Sequence, residues 1–168
     1  MTAEKVALAH PYVKSAALFT HAGELAIAVV PELYSSAVEI RDHLWREMAG
    51  DAPTLVILVA ELPVGDDGAV RHDLLSRRVG TLEPGELSRY AEPAGDVERT
   101  LQRIFAEAVG VERVGVLDDL IDLGGDSLAV VRVSALISER LGAEIPLEAV
   151  FEASTVRGIA RLVEREQP

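Results

Sequence analysis

The sequence contains no cysteine, which removes disulfides, thiol nucleophiles and thiolate-bound zinc together. That absence fits a reducing compartment, and a cytoplasmic location is expected. Histidine is scarce as well. His10, His21, His43 and His72 form neither a His-Glu-x-x-His nor a His-x3-His pair, so no built-in metal site is expected. Positive charge is in short supply: 16 basic residues face 28 acidic ones, for a formal charge of −12. A chain this acidic lacks the basic footprint of a nucleic-acid binder. No apolar run approaches the ~18 residues of a membrane helix, the longest being Thr54–Ala60. The opening Met1-Thr-Ala-Glu-Lys5 lacks the basic patch and apolar core of a signal peptide. What is present is an apolar fraction of 49% over 168 residues, enough for one large folded domain or two small ones.

Two halves are expected. Between Gly80 and Val97 the periodicity lapses in a stretch with Pro84, Gly85, Pro93 and Gly95, which reads as a linker anchored through Leu87 and Tyr90. The assignment is an α/β domain over residues 1–80, a linker over 81–95 and an all-α domain over 96–168. Residues 1–95 and 96–168 each hold 14 acidic and 8 basic groups, so charge does not separate them.

In the first half, Ser15–Thr20 and Glu24–Val30 are strand-length runs around His21-Ala-Gly23, a hairpin pattern. Ser36 and Glu39 form a capping box ahead of Ala37, Ile40, Leu44 and Met48 at helical spacing. Thr54–Ala60 is apolar at every position but the first, as a central strand covered on both faces is. In the second half, Leu101, Ile104, Phe105, Ala108 and Val109 make a helical stripe that Gly110 ends. Ser127–Leu141 reads as a second helix stopped by Gly142, and Leu147–Phe151 as a short third. Ser154 or Thr155 caps a fourth, with Val156, Ile159, Ala160 and Val163 buried. Four helices in about seventy residues make a small bundle, with no large pocket expected.

The segment Asp118-Asp-Leu-Ile-Asp-Leu-Gly-Gly-Asp-Ser-Leu128 stands out. Gly124-Gly125 allows a sharp turn into the helix, and Ser127 lies at or beside its N-cap. Free amides and the helix dipole make that position hospitable to an anionic substituent. Chemistry alone favours the plainer alternative, a Gly-Gly turn with an ordinary Ser or Asp cap. On the same helix Ala129, Val130, Val133, Leu136, Ile137 and Leu141 fall on a core-facing arc. Leu128, Val131 and Ala135 fall outside it, with Ser127, Arg132 and Glu139. They either face partner proteins or pack on the preceding loop. Asp118, Asp119, Asp122 and Asp126 are expected to crowd the approach to Ser127.

Asp122-Leu-Gly-Gly-Asp-Ser-Leu128 closely resembles the phosphopantetheine attachment motif of carrier (thiolation) domains of nonribosomal peptide synthetases. Ala108–Val111 and Phe151–Val163 resemble the flanking helices of that family. The resemblance implies a four-helix carrier module. It further implies 4′-phosphopantetheine attached to Ser127 from coenzyme A by a separate transferase, with Gly125, Asp126 and Leu128 around it and cargo held as a thioester outside any specificity pocket. Leu128, Val131, Arg132 and Ala135 become the expected docking residues.

The first half resembles the small C-terminal subdomain of adenylation domains. His10-Pro-Tyr-Val-Lys-Ser-Ala-Ala17 looks like its His-Pro-x-Val-x-x-Ala stretch, and Leu62-Pro-Val-Gly-Asp-Asp-Gly-Ala-Val-Arg-His-Asp-Leu-Leu75 like its closing motif. Two departures matter. Ala69 occupies the place of the family's catalytic lysine, and a methyl group neutralises no oxyanion. The large subdomain that holds the nucleotide and substrate pockets is missing. Adenylation by this chain alone is therefore not expected, and the 66–69 turn reads as a hairpin tip. The remnant is then a spacer for the carrier, a relic of a larger synthetase, or a surface for docking a separate ligase.

The expectation is a non-catalytic aminoacyl or peptidyl carrier in nonribosomal peptide or related secondary-metabolite assembly. Its partners are a phosphopantetheinyl transferase, an adenylating enzyme acting in trans, and condensing or tailoring enzymes, with neither nucleic acid nor membrane. The alternatives are a partial adenylate-forming ligase subunit completed in trans, or an acyl carrier of a polyketide pathway.

Overall fold

The computed structural model describes residues 1–167, and its contacts divide the chain into two units at Arg89/Tyr90. The first unit runs α1 (Ala3–Leu8), β1 (Val13–His21), β2 (Glu24–Pro31), α2 (Ala37–Met48), β3 (Leu55–Leu58), α3 (His72–Arg78) and β4 (Leu87–Arg89). Its four strands form one sheet in the order β1-β2-β3-β4. β1 and β2 pair antiparallel as the expected hairpin. Its two-residue turn places Ala22 at φ +50° and Gly23 at +83°, the primed geometry that matches strand twist. β2 and β3 run parallel, with α2 as the crossover, and β4 closes the edge antiparallel to β3.

Strand alternation explains the unbroken apolar runs. Ile27, Val29, Val56 and Leu58 point to the face covered by α1 and α2, where Val6, Ile40 and Leu44 are buried with them. Ala26, Ala28, Leu55 and Ile57 point to the other face, against Phe19 and Leu75 of α3. Both faces are dry, so β3 has no polar position to spare. The capping hydroxyl of Ser36 accepts the Glu39 N–H at 3.2 Å, as the box predicts. Arg41 is buried on α2, its guanidinium donating to Ser88 Oγ at 2.6 Å on β4.

β4 lies inside the stretch that the sequence marks as linker. Leu87 packs on the core behind α3, whereas Tyr90 belongs to the second unit, its ring 4.7 Å beneath the Arg113 guanidinium. α1 and α3 also escape the periodicity argument, being only 6 and 7 residues long.

The second unit is a bundle of α4 (Asp96–Val109), α5 (Ser127–Leu141), α6 (Leu147–Ala153) and α7 (Val156–Glu166). The expected stops hold: Gly110 and Gly142 are both left-handed C-caps. Thr155 caps α7 by accepting the Gly158 N–H at 3.0 Å, while Ser154 ends α6. Leu101, Ile104, Phe105, Val133, Ile137, Val150, Ile159 and Val163 share the core. Each large side chain fully buried there contributes roughly 1.5–3 kcal/mol. Glu98 on α4 ties in α7 by accepting from Arg157 Nε at 3.0 Å, and also accepts the Ala94 N–H at 2.7 Å. Those bonds hold its carboxyl below the usual range against the opposing effect of burial.

Candidate functional site

The loop from Gly110 to Asp126 delivers Ser127, and it is built largely by its own acidic residues. Asp118 is buried, its carboxylate accepting the Gly115 N–H at 2.7 Å. Asp119 accepts the N–H groups of Ile121 (2.8 Å) and Asp122 (3.3 Å) and the Ser154 hydroxyl. Leu120 N–H reaches Ser154 O at 2.7 Å and Arg157 N–H reaches Val116 O at 2.9 Å, so the α6–α7 junction pins the loop. This corrects the expectation that Asp118 and Asp119 crowd the approach to Ser127, whereas Asp126 is exposed beside it. Asp118 and Asp119 are spent on the loop's backbone, because an irregular loop against a core must satisfy its amides locally. Asp122 is partly buried, and burial and then Asp119 and Asp118 raise its pKa.

The doubled glycine has two separate causes. Gly124 adopts φ +93°, a left-handed conformation that favours glycine. Gly125 lies against Leu120, donating its N–H to Leu120 O at 2.9 Å, and an added Cβ would sit 2.5 Å from that oxygen. After this turn Asp126 is the N-cap of α5, accepting the Ala129 N–H at 2.9 Å. Ser127 is the first helical residue and is exposed. The N–H groups of Ser127 and Leu128 lie in the first turn, where the helix offers them no acceptor.

The helix faces divide as the periodicity implies. Ala129, Val130, Val133 and Ile137 are buried, and Leu136 and Leu141 pack on the core from its edge. Leu128 (77% exposed), Val131, Arg132 and Ala135 are turned outward. They do not pack on the preceding loop. Leu147 and Phe151 of α6 are exposed too, and with Ser127, Val130 and Val131 they line a groove of ≈ 410 Å³. Sequence reasoning missed this groove. Its only signal was the apolar Leu147 and Phe151 at i, i+4 on a helix whose core residue, Val150, lies between them.

Residues 99–163 match the family described as "Phosphopantetheine attachment site". The second unit is a phosphopantetheine carrier domain. The isonitrile lipopeptide synthase of Mycobacterium tuberculosis is 41% identical over 144 residues, 83% of this chain and 6% of that protein. Tyrocidine synthase 3 of Brevibacillus parabrevis is 32% identical over 164 residues, 94% of this chain and 2% of that protein. Both matches are longer than the carrier domain, so they run into the first unit. The chain thus spans a small fraction of these relatives. A peptidyl carrier protein solved in complex with the phosphopantetheine transferase Sfp and coenzyme A is 30% identical, with a TM-score of 0.44. That match covers 45% of this chain and 99% of the other.

The chain is a carrier domain of the nonribosomal peptide synthetase type, preceded by an α/β subdomain resembling an adenylation-domain C-terminus. The geometry at α5 fits the group this family carries. An exposed hydroxyl lies in the first turn of the helix, and the carboxylate that precedes it in sequence, Asp126, accepts the Ala129 N–H of its own helix. In the first unit Ala69 is exposed on the expected hairpin, between the bridge residues Val64 and Val70, its N–H bonded to Asp67 Oδ1 at 3.0 Å. Among the described residues no group of three His, Asp or Glu side chains is placed to hold a metal ion. No helix there is long and apolar enough to cross a membrane.

Proposed function

We propose that Ser127 carries 4′-phosphopantetheine and that the chain tethers aminoacyl or peptidyl thioesters in nonribosomal peptide or related secondary-metabolite assembly. The observation that carries this is the exposed Ser127 hydroxyl, presented by Gly124-Gly125 at the amide end of α5 within the matched residues 99–163. Ser127 Oγ attacks the phosphorus of coenzyme A that bears the pantetheine. The pyrophosphate P–O bond breaks, and adenosine 3′,5′-bisphosphate leaves. The second half has no histidine, so the serine's proton passes to a base on the transferase. The thiol of the bound group supplies the thioester link to the cargo. Leu128, exposed beside Ser127, meets the transferase, and Val131, Arg132 and Ala135 extend that face along α5.

The partners are a phosphopantetheinyl transferase, an adenylating enzyme acting in trans, and condensing or tailoring enzymes, all in the cytoplasm where coenzyme A and ATP are supplied. Residues 96–168 are the working carrier and 1–80 its adenylation-like companion. Ala69, with no cation to offer a phosphate, opposes the reading as a ligase subunit completed in trans. The test is loading. Holo-protein incubated with an amino acid, ATP and a free-standing adenylating enzyme gains one aminoacyl mass, removable by hydroxylamine. A hydroxylamine-stable adduct, or ATP–pyrophosphate exchange catalysed by this chain alone, would overturn the proposal.

A further inference from the structure

We propose that Ser154, at the α6–α7 junction, is a positioning residue for the modification of Ser127, its hydroxyl acting through Asp119 on the turn that presents the serine. This rests on Ser127 being the attachment point. Thr155 caps α7, so the capping role open to Ser154 in the sequence is already filled. All of its polar groups are engaged nonetheless. Its N–H closes α6 on Val150 O at 2.9 Å, its carbonyl accepts the Leu120 N–H at 2.7 Å, and its hydroxyl donates to Asp119 Oδ2. Its backbone is left-handed at φ +57°, a region that a residue with a Cβ occupies only where its surroundings hold it there. Two of the three bonds that hold it come from the loop leading to Ser127.

That loop is folded from Asp119 onward. While Oδ2 takes the Ser154 hydroxyl, Oδ1 accepts the N–H groups of Ile121 at 2.8 Å and Asp122 at 3.3 Å. The hydroxyl therefore fixes the orientation of the carboxylate that shapes the 121–122 segment. Backbone bonds carry the order forward: Leu123 N–H reaches Asp119 O at 3.0 Å, and Gly124 N–H reaches Ile121 O at 2.9 Å. Leu120 joins the two ends, its N–H on Ser154 O and its own carbonyl accepting the Gly125 N–H at 2.9 Å. The junction thus reaches the turn two residues before Ser127.

Phosphopantetheine transfer requires Ser127 Oγ in line with the phosphorus, and a displacement of about 1 Å can lower a rate by about a hundredfold. The face offered to the transferase is built on α5, which keeps its own cap at Asp126. Loss of the Ser154 hydroxyl therefore loosens the approach to Ser127 and leaves the docking helix in place. It lowers kcat for transfer, by about three- to tenfold, and leaves the KM for the carrier unchanged.

The experiment uses the full chain with coenzyme A, Mg²⁺ and a promiscuous phosphopantetheinyl transferase, following initial rates by intact mass well below the unfolding temperature. Ser154→Ala is expected to show the kcat loss and faster hydrogen exchange at the Gly125 amide. Ser154→Gly separates position from stability. Glycine relieves the left-handed backbone, so this variant should unfold at a higher temperature than Ser154→Ala and yet lose the same kcat. Asp119→Ala should lower kcat at least as far, and adding Ser154→Ala to it should change nothing more. Asp119→Asn should restore kcat, since its amide oxygen accepts the two N–H groups and its NH₂ donates to the Ser154 hydroxyl. Parental kcat in both Ser154 variants overturns the proposal, as does a loss that tracks unfolding temperature or appears only in KM. Additive losses in the double variant, or no recovery in Asp119→Asn, overturn the route through Asp119. No mass gain on the parent fails the carrier reading itself, a result separate from all of these.

Discussion

Gly125 and Leu120 are in backbone contact: the Gly125 N–H donates to Leu120 O at 2.9 Å, and a Cβ on Gly125 would stand 2.5 Å from that oxygen and 3.1 Å from Leu120 Cγ. Leu120 is itself fully buried, so it has nowhere to retreat. Gly125→Ala should therefore destabilise the carrier domain by about 1–3 kcal/mol, as overpacking does. It should also slow modification of Ser127 by displacing the turn. Urea unfolding and the rate of phosphopantetheine transfer measure the two effects. A variant with parental stability and rate contradicts the close-contact account.

Asp126 has two separable roles. As N-cap it satisfies the Ala129 N–H, so Asp126→Ala should cost about 1 kcal/mol while Asp126→Asn retains most of the cap. If its charge also guides the transferase, the Asn variant keeps its stability but loses transfer rate, more so at low salt. Equal stability of the Ala variant and the parent would contradict the cap.

Asp122 is a local liability. Burial and the neighbouring Asp119 and Asp118 raise its pKa, so its folded form holds a proton more readily than the unfolded chain does. The group therefore favours folding at acid pH and opposes it at neutral pH. Asp122→Asn should raise the stability of the carrier domain at pH 7 by a few tenths to about 1 kcal/mol. The gain should shrink as pH falls toward the raised value. Thermal unfolding at pH 7 and pH 4.5 checks the sign, and a loss at pH 7 contradicts it.

His10 gives the first unit an acid sensitivity of the opposite sign. Its ring is buried, its Nδ1 accepts the Tyr12 N–H at 3.3 Å, and it lies 5.0 Å from the His43 ring. Burial first and His43 second lower its pKa, with Arg46 acting the same way and Glu39 against them. A lowered histidine contributes stability that is complete above the unfolded value of about 6.5 and is lost as pH falls through the folded one. His10→Gln should flatten the fall in unfolding temperature of the first unit between pH 7 and pH 5. An unchanged slope would show that another group governs it.

Much of this was legible in the sequence wherever one residue type has one local job. Gly110 and Gly142 end α4 and α5, Ser36 caps α2, and the Ala22-Gly23 turn closes its hairpin, while the choice of Asp126 over Ser127 and of Thr155 over Ser154 as caps came from the structure. The losses came where tertiary packing decides. β4 is three residues long in a Pro/Gly-rich stretch and exists because β3 needs an edge partner. Asp118 reads as a surface charge until the Gly115 amide is found buried beside it. The groove beside Ser127 requires α6 to bring Leu147 and Phe151 opposite Val131, a juxtaposition no helical period encodes.

The central claim is that the Ser127 hydroxyl is the attachment point. Its most direct measurement is the intact mass of the chain after incubation with coenzyme A, Mg²⁺ and a promiscuous phosphopantetheinyl transferase, with Ser127→Ala in parallel. Because Ser127 is exposed, the alanine variant should fold with parental stability. The account predicts a gain of one phosphopantetheine on the parent and none on the variant. An unmodified, folded parent alongside a converted control carrier, or a modified Ser127→Ala, contradicts it.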